Sequence, residues 1–201
     1  SMRESIKQGT IGDVAVVRTF RGGSQFPVGW HDWYADFDLS GGVTLDLAIH
    51  DIDYLRWLFG DVERVYAESA HGRTTEQLEW AMIVLRFKSG VIAHVEGSWT
   101  NYPGEFYTTV EIAGKDGLIS YDSRKTKALF TLQGPKQSEH PAVTVPESPT
   151  TSNPYFLELQ DMVDAIRNDR SPLVTVKDAF VTLKTTLAAM ESAETGRVIT
   201  L

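Results

Sequence analysis

The chain has 201 residues, 42% hydrophobic and 10% aromatic, enough for one large domain or two small ones with a buried core. Its net charge of -8 argues against nucleic acid or an anionic membrane as the main partner, since both need a basic surface. No stretch approaches the roughly 18 consecutive apolar residues of a membrane span, and zero cysteines exclude disulfides and thiolate metal sites and fit a reducing cytoplasm.

In chain order, Arg3 to Gly9 reads as the end of a helix stopped by glycine. A β-branched strand, Val14 to Phe20, follows and ends at Arg21-Gly22-Gly23. An irregular aromatic segment, Phe26 to Tyr34, then runs into a long helical stretch bounded by Gly41-Gly42 and Gly60. Beyond it come consecutive strands at Val62 to Ala70, Trp80 to Phe87, Val91 to Trp99, Thr108 to Ala113, Leu118 to Tyr121 and Ala128 to Leu132. Lys88-Ser89-Gly90 and Gly114 to Gly117 are hairpin-length turns, so the sheet is expected to be mainly antiparallel. Gly134 to Ser152 is a Pro/Ser/Thr-rich loop. Asn153-Pro154 starts a helix whose predicted buried face is Tyr155, Leu159, Met162 and Ile166. Thr175 and Asp178 form a capping-box pattern opening a last helix, with Phe180, Leu183, Leu187 and Met190 as its predicted buried face and Gly196 as its stop. Val198 to Leu201 is a closing strand. The fold class expected is α+β: one open, mainly antiparallel sheet with helices packed on one face.

The helical stretch Gly41 to Gly60 carries the chemistry. At about 100° per residue, Leu45, Ala48, Ile49, Ile52, Leu55 and Phe59 form one apolar face, and Leu47, Tyr54 and Leu58 a second, roughly opposite. Between them Asp46, His50, Asp53 and Trp57 line up, with Asp51 outside the stripe as a solvated or capping charge. A polar stripe between two packed faces is expected to be partly enclosed. Asp46 and His50, four residues apart, put a carboxylate and an imidazole about 6 Å apart at Cβ on one face. Asp53 is a candidate substrate ligand or a hydrogen-bonding residue toward the sheet or a loop, and Trp57 reads as core. Trp30, His31, Trp33 and Tyr34 precede the helix where a loop can close over a substrate or simply anchor itself. Arg21, at the end of the first strand, is a candidate for an anionic or polyhydroxy substrate or else a surface arginine. In Trp80 to Phe87 both faces are apolar up to Arg86, so the second face calls for cover such as a partner subunit. His94, Glu96 and Ser98 share a polar strand face that borders either a substrate cleft or a subunit interface. A ligand set built from His50, Asp46, Asp53 and His71 or His31 is the rival chemistry, but its spacing matches no metal motif, and no metal is expected.

Gly41-Gly42-x-x-x-Asp46-x-x-x-His50-Asp51-x-Asp53-x-x-x-Trp57-Leu58-x-Gly60 resembles the signature of the Gfo/Idh/MocA oxidoreductases, the family of glucose–fructose oxidoreductase and inositol dehydrogenase. Gly9-Thr10-Ile11-Gly12-Asp13-Val14 resembles the family's entry into its second domain. Glu111-Ile112-Ala113-Gly114-x-x-Gly117 resembles its mid-sheet turn, and Asp178-Ala179 through Thr195-Gly196 its C-terminal helix. The resemblance covers nearly the whole chain and implies the family's glyceraldehyde-3-phosphate dehydrogenase-like C-terminal domain. Family members normally begin with a Rossmann domain and a Glu-Lys-Pro segment whose lysine sits in the active site. Here no Gly-x-Gly-x-x-Gly follows a strand and no Glu-Lys-Pro occurs. The Rossmann domain is therefore expected to be absent from this chain. Residues 1–11 would combine a cloning remnant, Ser1 before Met2, with the end of an interdomain linker helix, and 12–201 would form the substrate-binding and oligomerisation domain.

The resemblance further implies an NAD(P)-dependent dehydrogenase as the full-length protein, taking hydride from a hydroxyl carbon of a sugar, polyol or related compound. His50 and Asp46 would be its catalytic pair, and the cofactor, NAD or NADP, would be bound mainly by the missing domain. The isolated domain would be inactive. Expected partners are the small-molecule substrate, the protein's own Rossmann domain, and a second copy through the sheet in a homodimer or homotetramer. Alternatives are a catalytically silent dimerisation or binding module, and a member using NAD transiently in glycoside cleavage. The family's substrate-contacting aromatic near Phe106-Tyr107 is not carried over, because a Pro-Gly-Glu run interrupts the pattern there.

Overall fold

The computed structural model describes residues 2–23, 31, 33–34, 36–71, 78–99, 105–126 and 153–201. The predicted strand at Ala128 to Leu132, the loop at 134–152 and Trp30 lie outside the described residues.

Helix α1 (Met2–Lys7) leads into β1 (Val14–Gly22), and a short α2 (Phe37–Ser40) precedes the central helical segment. That segment is a π turn (Thr44–Ala48) continuing into α3 (Ile49–Phe59). Five strands follow: β2 (Val62–His71), β3 (Leu78–Phe87), β4 (Ile92–Ser98), β5 (Tyr107–Gly114) and β6 (Leu118–Asp122). Helices α4 (Pro154–Arg167) and α5 (Val176–Thr195) and a two-residue β7 (Ile199–Thr200) complete it. The seven strands form one sheet in the order β6-β5-β1-β4-β3-β2-β7. All its ladders are antiparallel except β1 with β4, which places the C-terminal ends of those two strands side by side, Arg21 opposite Gly97.

One face of the sheet carries the core. Val17, Val65, Ile83, Leu85, Ala93, Val95 and Ile112 are fully buried there, packed with Ala48, Ile52 and Leu55 of the central segment and Ala189 of α5. The other face carries Arg18, His94, Glu96 and Val84, the last exposed; Trp80 donates to Glu96 (2.9 Å), and Arg18 pairs with Glu111. The two apolar faces read in Trp80 to Phe87 are thus one core face and one open face within this chain.

The capping signals act as written. Asn153 accepts from the amide of Tyr155, and Thr175 and Asp178 close a reciprocal capping box. The predicted faces of α4 and α5 are corrected. Tyr155, Leu159, Met162 and Ile166 are all exposed, as are Phe180, Leu183 and Leu187, while Met190 is half-buried. The side of α5 that meets the molecule is Thr182, Thr185, Thr186, Ala188, Ala189 and Ser192. These small side chains let the helix lie close against β2 and α3. The Thr185 and Thr186 hydroxyls are satisfied by the carbonyls four residues back.

Candidate functional site

The site segment begins with two consecutive glycines in the left-handed region, Gly41 (φ 72°) and Gly42 (φ 68°). Gly41 is the C-cap of α2, and a β-carbon there would overlap the Leu45 side chain, so the entry into the π turn requires glycine. The start of the segment then packs against β4, where Val43 and Ala48 lie within van der Waals reach of the position a Gly97 side chain would occupy. The straight helix expected over Gly41 to Gly60 is therefore not one helix. Residues 44–48 wind more widely, with bonds spanning five residues, before the α-helical spacing resumes at Ile49. Asp46 sits inside the wide turn and His50 just beyond it.

That junction decides what is covered. Thr44, Leu47, Ala48, Asp51, Ile52 and Leu55 form the buried stripe. Asp46 and Asp53 are half-buried, while His50 and Trp57 are exposed. The enclosure expected for the polar stripe is only partial in this chain. Burial pushes the Asp46 carboxyl above its ordinary value of 3.8, and the nearby His50 partly counters the rise. No hydrogen bond joins the two among the described residues, so the pair is a carboxylate and an accessible imidazole held in electrostatic reach.

Asp51 overturns the reading of a solvated charge. It is only 2% exposed, on the core side of α3, and its Oδ2 accepts from Arg21 Nε of β1 at 2.6 Å. Burial raises its carboxyl pKa; Arg21, through its charge and hydrogen bond, and His50 oppose that rise. The sequence does contain a signal for this pairing. Asp51 lies four residues after Leu47 and four before Leu55, so it shares a helical stripe with two buried leucines, where a charge needs a partner. Arg21, half-buried, is that partner and no mere surface arginine.

The remaining candidates separate. Asp53 accepts from the Thr182 hydroxyl at 2.7 Å, and Thr182 also accepts from Arg56 at 2.6 Å, so its bond runs to α5 and not to the sheet or a loop. Trp57, expected in the core, is 40% exposed, with the Arg3 guanidinium 4.0 Å above its ring and a groove beside it that Leu173, Val174 and Asp178 also line. His31 is exposed with φ 52°; Tyr34 packs edge-on against Trp33 and Trp99. Among the described residues, no group of three or more His, Asp or Glu side chains is arranged to hold a metal ion, and no helix is long and apolar enough to cross a membrane.

The model of the oxidoreductase family C-terminal alpha/beta domain matches residues 3–201. The chain is 29% identical to myo-inositol 2-dehydrogenase of Thermotoga maritima, over all of this chain and 60% of that protein. It is 30% identical to scyllo-inositol 2-dehydrogenase (NAD(+)) of Bacillus subtilis, over 81% of this chain and 48% of that one. The chain thus spans about half to three fifths of the length of these relatives. A crystal structure of a probable dehydrogenase from Thermotoga maritima superposes with a TM-score of 0.78 at 26% identity, over 99% of this chain and 60% of that one.

Proposed function

Starting from the chain's membership of the Gfo/Idh/MocA oxidoreductase family, we propose that it is the substrate-binding C-terminal domain of a larger NAD(P)-dependent dehydrogenase acting on a polyol or sugar. The share of the relatives that the chain spans, 60% and 48%, supports the larger enzyme. The names of the relatives, two inositol dehydrogenases, support a polyhydroxylated ring as substrate. Among the described residues no strand leads through a glycine-rich turn into a helix in the way that cradles a dinucleotide, which supports a reading in which another domain binds the cofactor. The nicotinamide would be held mainly by another domain of the complete enzyme, where it would supply the hydride acceptor.

The observation that carries the reading is the π–α junction, which leaves His50 accessible within electrostatic reach of half-buried Asp46. When a hydroxyl carbon gives up hydride, the hydroxyl must give up its proton. An imidazole is suited to take it near neutral pH. His50 accepts that proton on a ring nitrogen, and Asp46 stabilises the resulting imidazolium and holds a neighbouring hydroxyl. The amino groups of Arg21 not engaged by Asp51, together with His31 and Trp30, are candidate contacts for the rest of the ring. Asp53, tied to Thr182, would order the helix from the side.

The test is turnover of myo-inositol and scyllo-inositol with NAD or NADP by the complete enzyme. His50→Ala should lower kcat roughly 10²-fold or more, with KM moving much less. Turnover that survives His50→Ala would remove the acid–base role. A complete absence of turnover on any polyol or sugar would favour a silent binding module.

A further inference from the structure

The buried charge at Asp51 has no place in the proton transfer, yet it occupies a core position of the site helix. Replacing a buried ion pair by well-packed apolar residues is often neutral or stabilising. Stability alone therefore gives no reason for a carboxylate between Leu47 and Leu55. Its position offers one. It lies one residue beyond His50 and three beyond Ala48, where the wide turn ends. A π turn holds one more residue per turn than the α-helix around it. The junction can therefore in principle sit at more than one register along the segment, and each register would turn Asp46 differently relative to His50. The apolar residues Leu47, Ala48, Ile52 and Leu55 resist such a shift only through packing, which has no preferred partner. The bond from Arg21 Nε to Asp51 does not: it links one specific residue of the helix to one specific residue of β1. Arg21 is itself fixed, since β1 is paired on both sides, with β4 and β5. Beside it on the same face of β1, the Thr19 hydroxyl is buried without a partner among the described residues, so it does not tie the helix to the strand.

We propose that the Arg21–Asp51 ion pair is a register lock for the π–α junction, and that Asp51 and Arg21 are positioning residues that hold His50 in line with Asp46. The inference rests on the reading of His50 and Asp46 as the working pair, but its test does not need catalysis. The charged groups that feel His50 are Asp46 from the π turn and Asp51 on its own helix, the latter bonded to Arg21 of β1.

The experiment follows the imidazole of His50 by NMR through a pH titration of this 201-residue chain, with and without Asp46→Asn. The difference between the two midpoints measures the coupling of the pair. The same difference is then measured in the Arg21→Leu/Asp51→Leu background. The coupling should fall by about half or more there, as for any pair whose shared geometry is lost, while the chain stays cooperatively folded. Backbone amide resonances of residues 44–50 should move or double in the same variant. Equal coupling with unmoved amides in a folded Leu/Leu chain would overturn the lock, leaving the pair a structural salt bridge only. Should that variant fail to fold, Arg21→Met/Asp51→Asn replaces it, because methionine has no donor with which to re-form the pair and both charges are removed together; the same two outcomes apply. Loss of coupling here alongside activity that survives His50→Ala would sink the proposed chemistry and leave the lock standing.

Discussion

At the residue scale the site shows its cost in stability. Burial raises the pKa of Asp46, so the folded state binds a proton more readily than the unfolded chain. Stability then falls as pH rises from 3.8 through the raised folded value. Asp46→Asn is accordingly expected to raise Tm at pH 7, and the gain should vanish below pH 3.8, where the unfolded carboxyl is protonated too. Thermal melts at pH 3 and pH 7 check the sign, and an equal effect at both would contradict it. Arg21→Ala is the harsher change, since it leaves the carboxylate of Asp51 buried without its cation. It should cost about 3–5 kcal/mol in denaturant titrations, with a loss under 1 kcal/mol counting against a buried pair. His50 and Asp46 were legible in the sequence as a pair. The stripe that Asp51 shares with Leu47 and Leu55 was legible too, but its partner Arg21 lies 30 residues away in the sequence, where no local signal points to it.

At the element scale, strands and caps were readable because their signals are local. The turns at Lys88 to Gly90 and Gly114 to Gly117, the box at Thr175 and Asp178 and the stop at Gly196 act within a few residues of themselves. Helix faces are another matter. The last helix has two candidate stripes, large apolar residues from Phe180 to Leu187 and small ones from Thr182 to Ser192. Close packing on the sheet selects the small one, a choice that hydropathy alone ranks the other way. Ser192 shows what that closeness achieves. Strand β7 pairs β2 only at Arg64 and Val65. The amide of Ala67 beyond it donates to the Ser192 hydroxyl at 3.0 Å, and that hydroxyl donates on to the Arg197 carbonyl at 2.6 Å. Ser192→Ala strands a buried amide and should destabilise the chain by about 1–3 kcal/mol. An unchanged denaturation midpoint would mean that water takes the place of the hydroxyl. The π turn escaped the sequence reading because a wide turn keeps the same apolar residues and differs only in winding.

At the scale of the whole molecule, apolar side chains are exposed among the described residues on the outer face of the sheet and on the outer sides of α4 and α5. The open sheet, with Val84 and Ile92 exposed on neighbouring strands, is the surface we propose for a second copy. Sedimentation should find a dimer or larger, and a clean monomer at high concentration would leave that face without an explanation. The fold class and family were legible because the motifs are spread along nearly the entire sequence. The substrate was not, since in the proposed reading part of the site lies in another domain.

In the proposed chemistry the accessible imidazole beside Asp46 does acid–base work on a substrate hydroxyl. The most direct measurement is the pH dependence of kcat/KM for inositol oxidation by the complete enzyme, wild type against His50→Ala. His50→Ala should be slower by roughly 10²-fold, with a pH dependence that differs from that of the wild type. A variant with the same profile and a near-wild-type rate would contradict it.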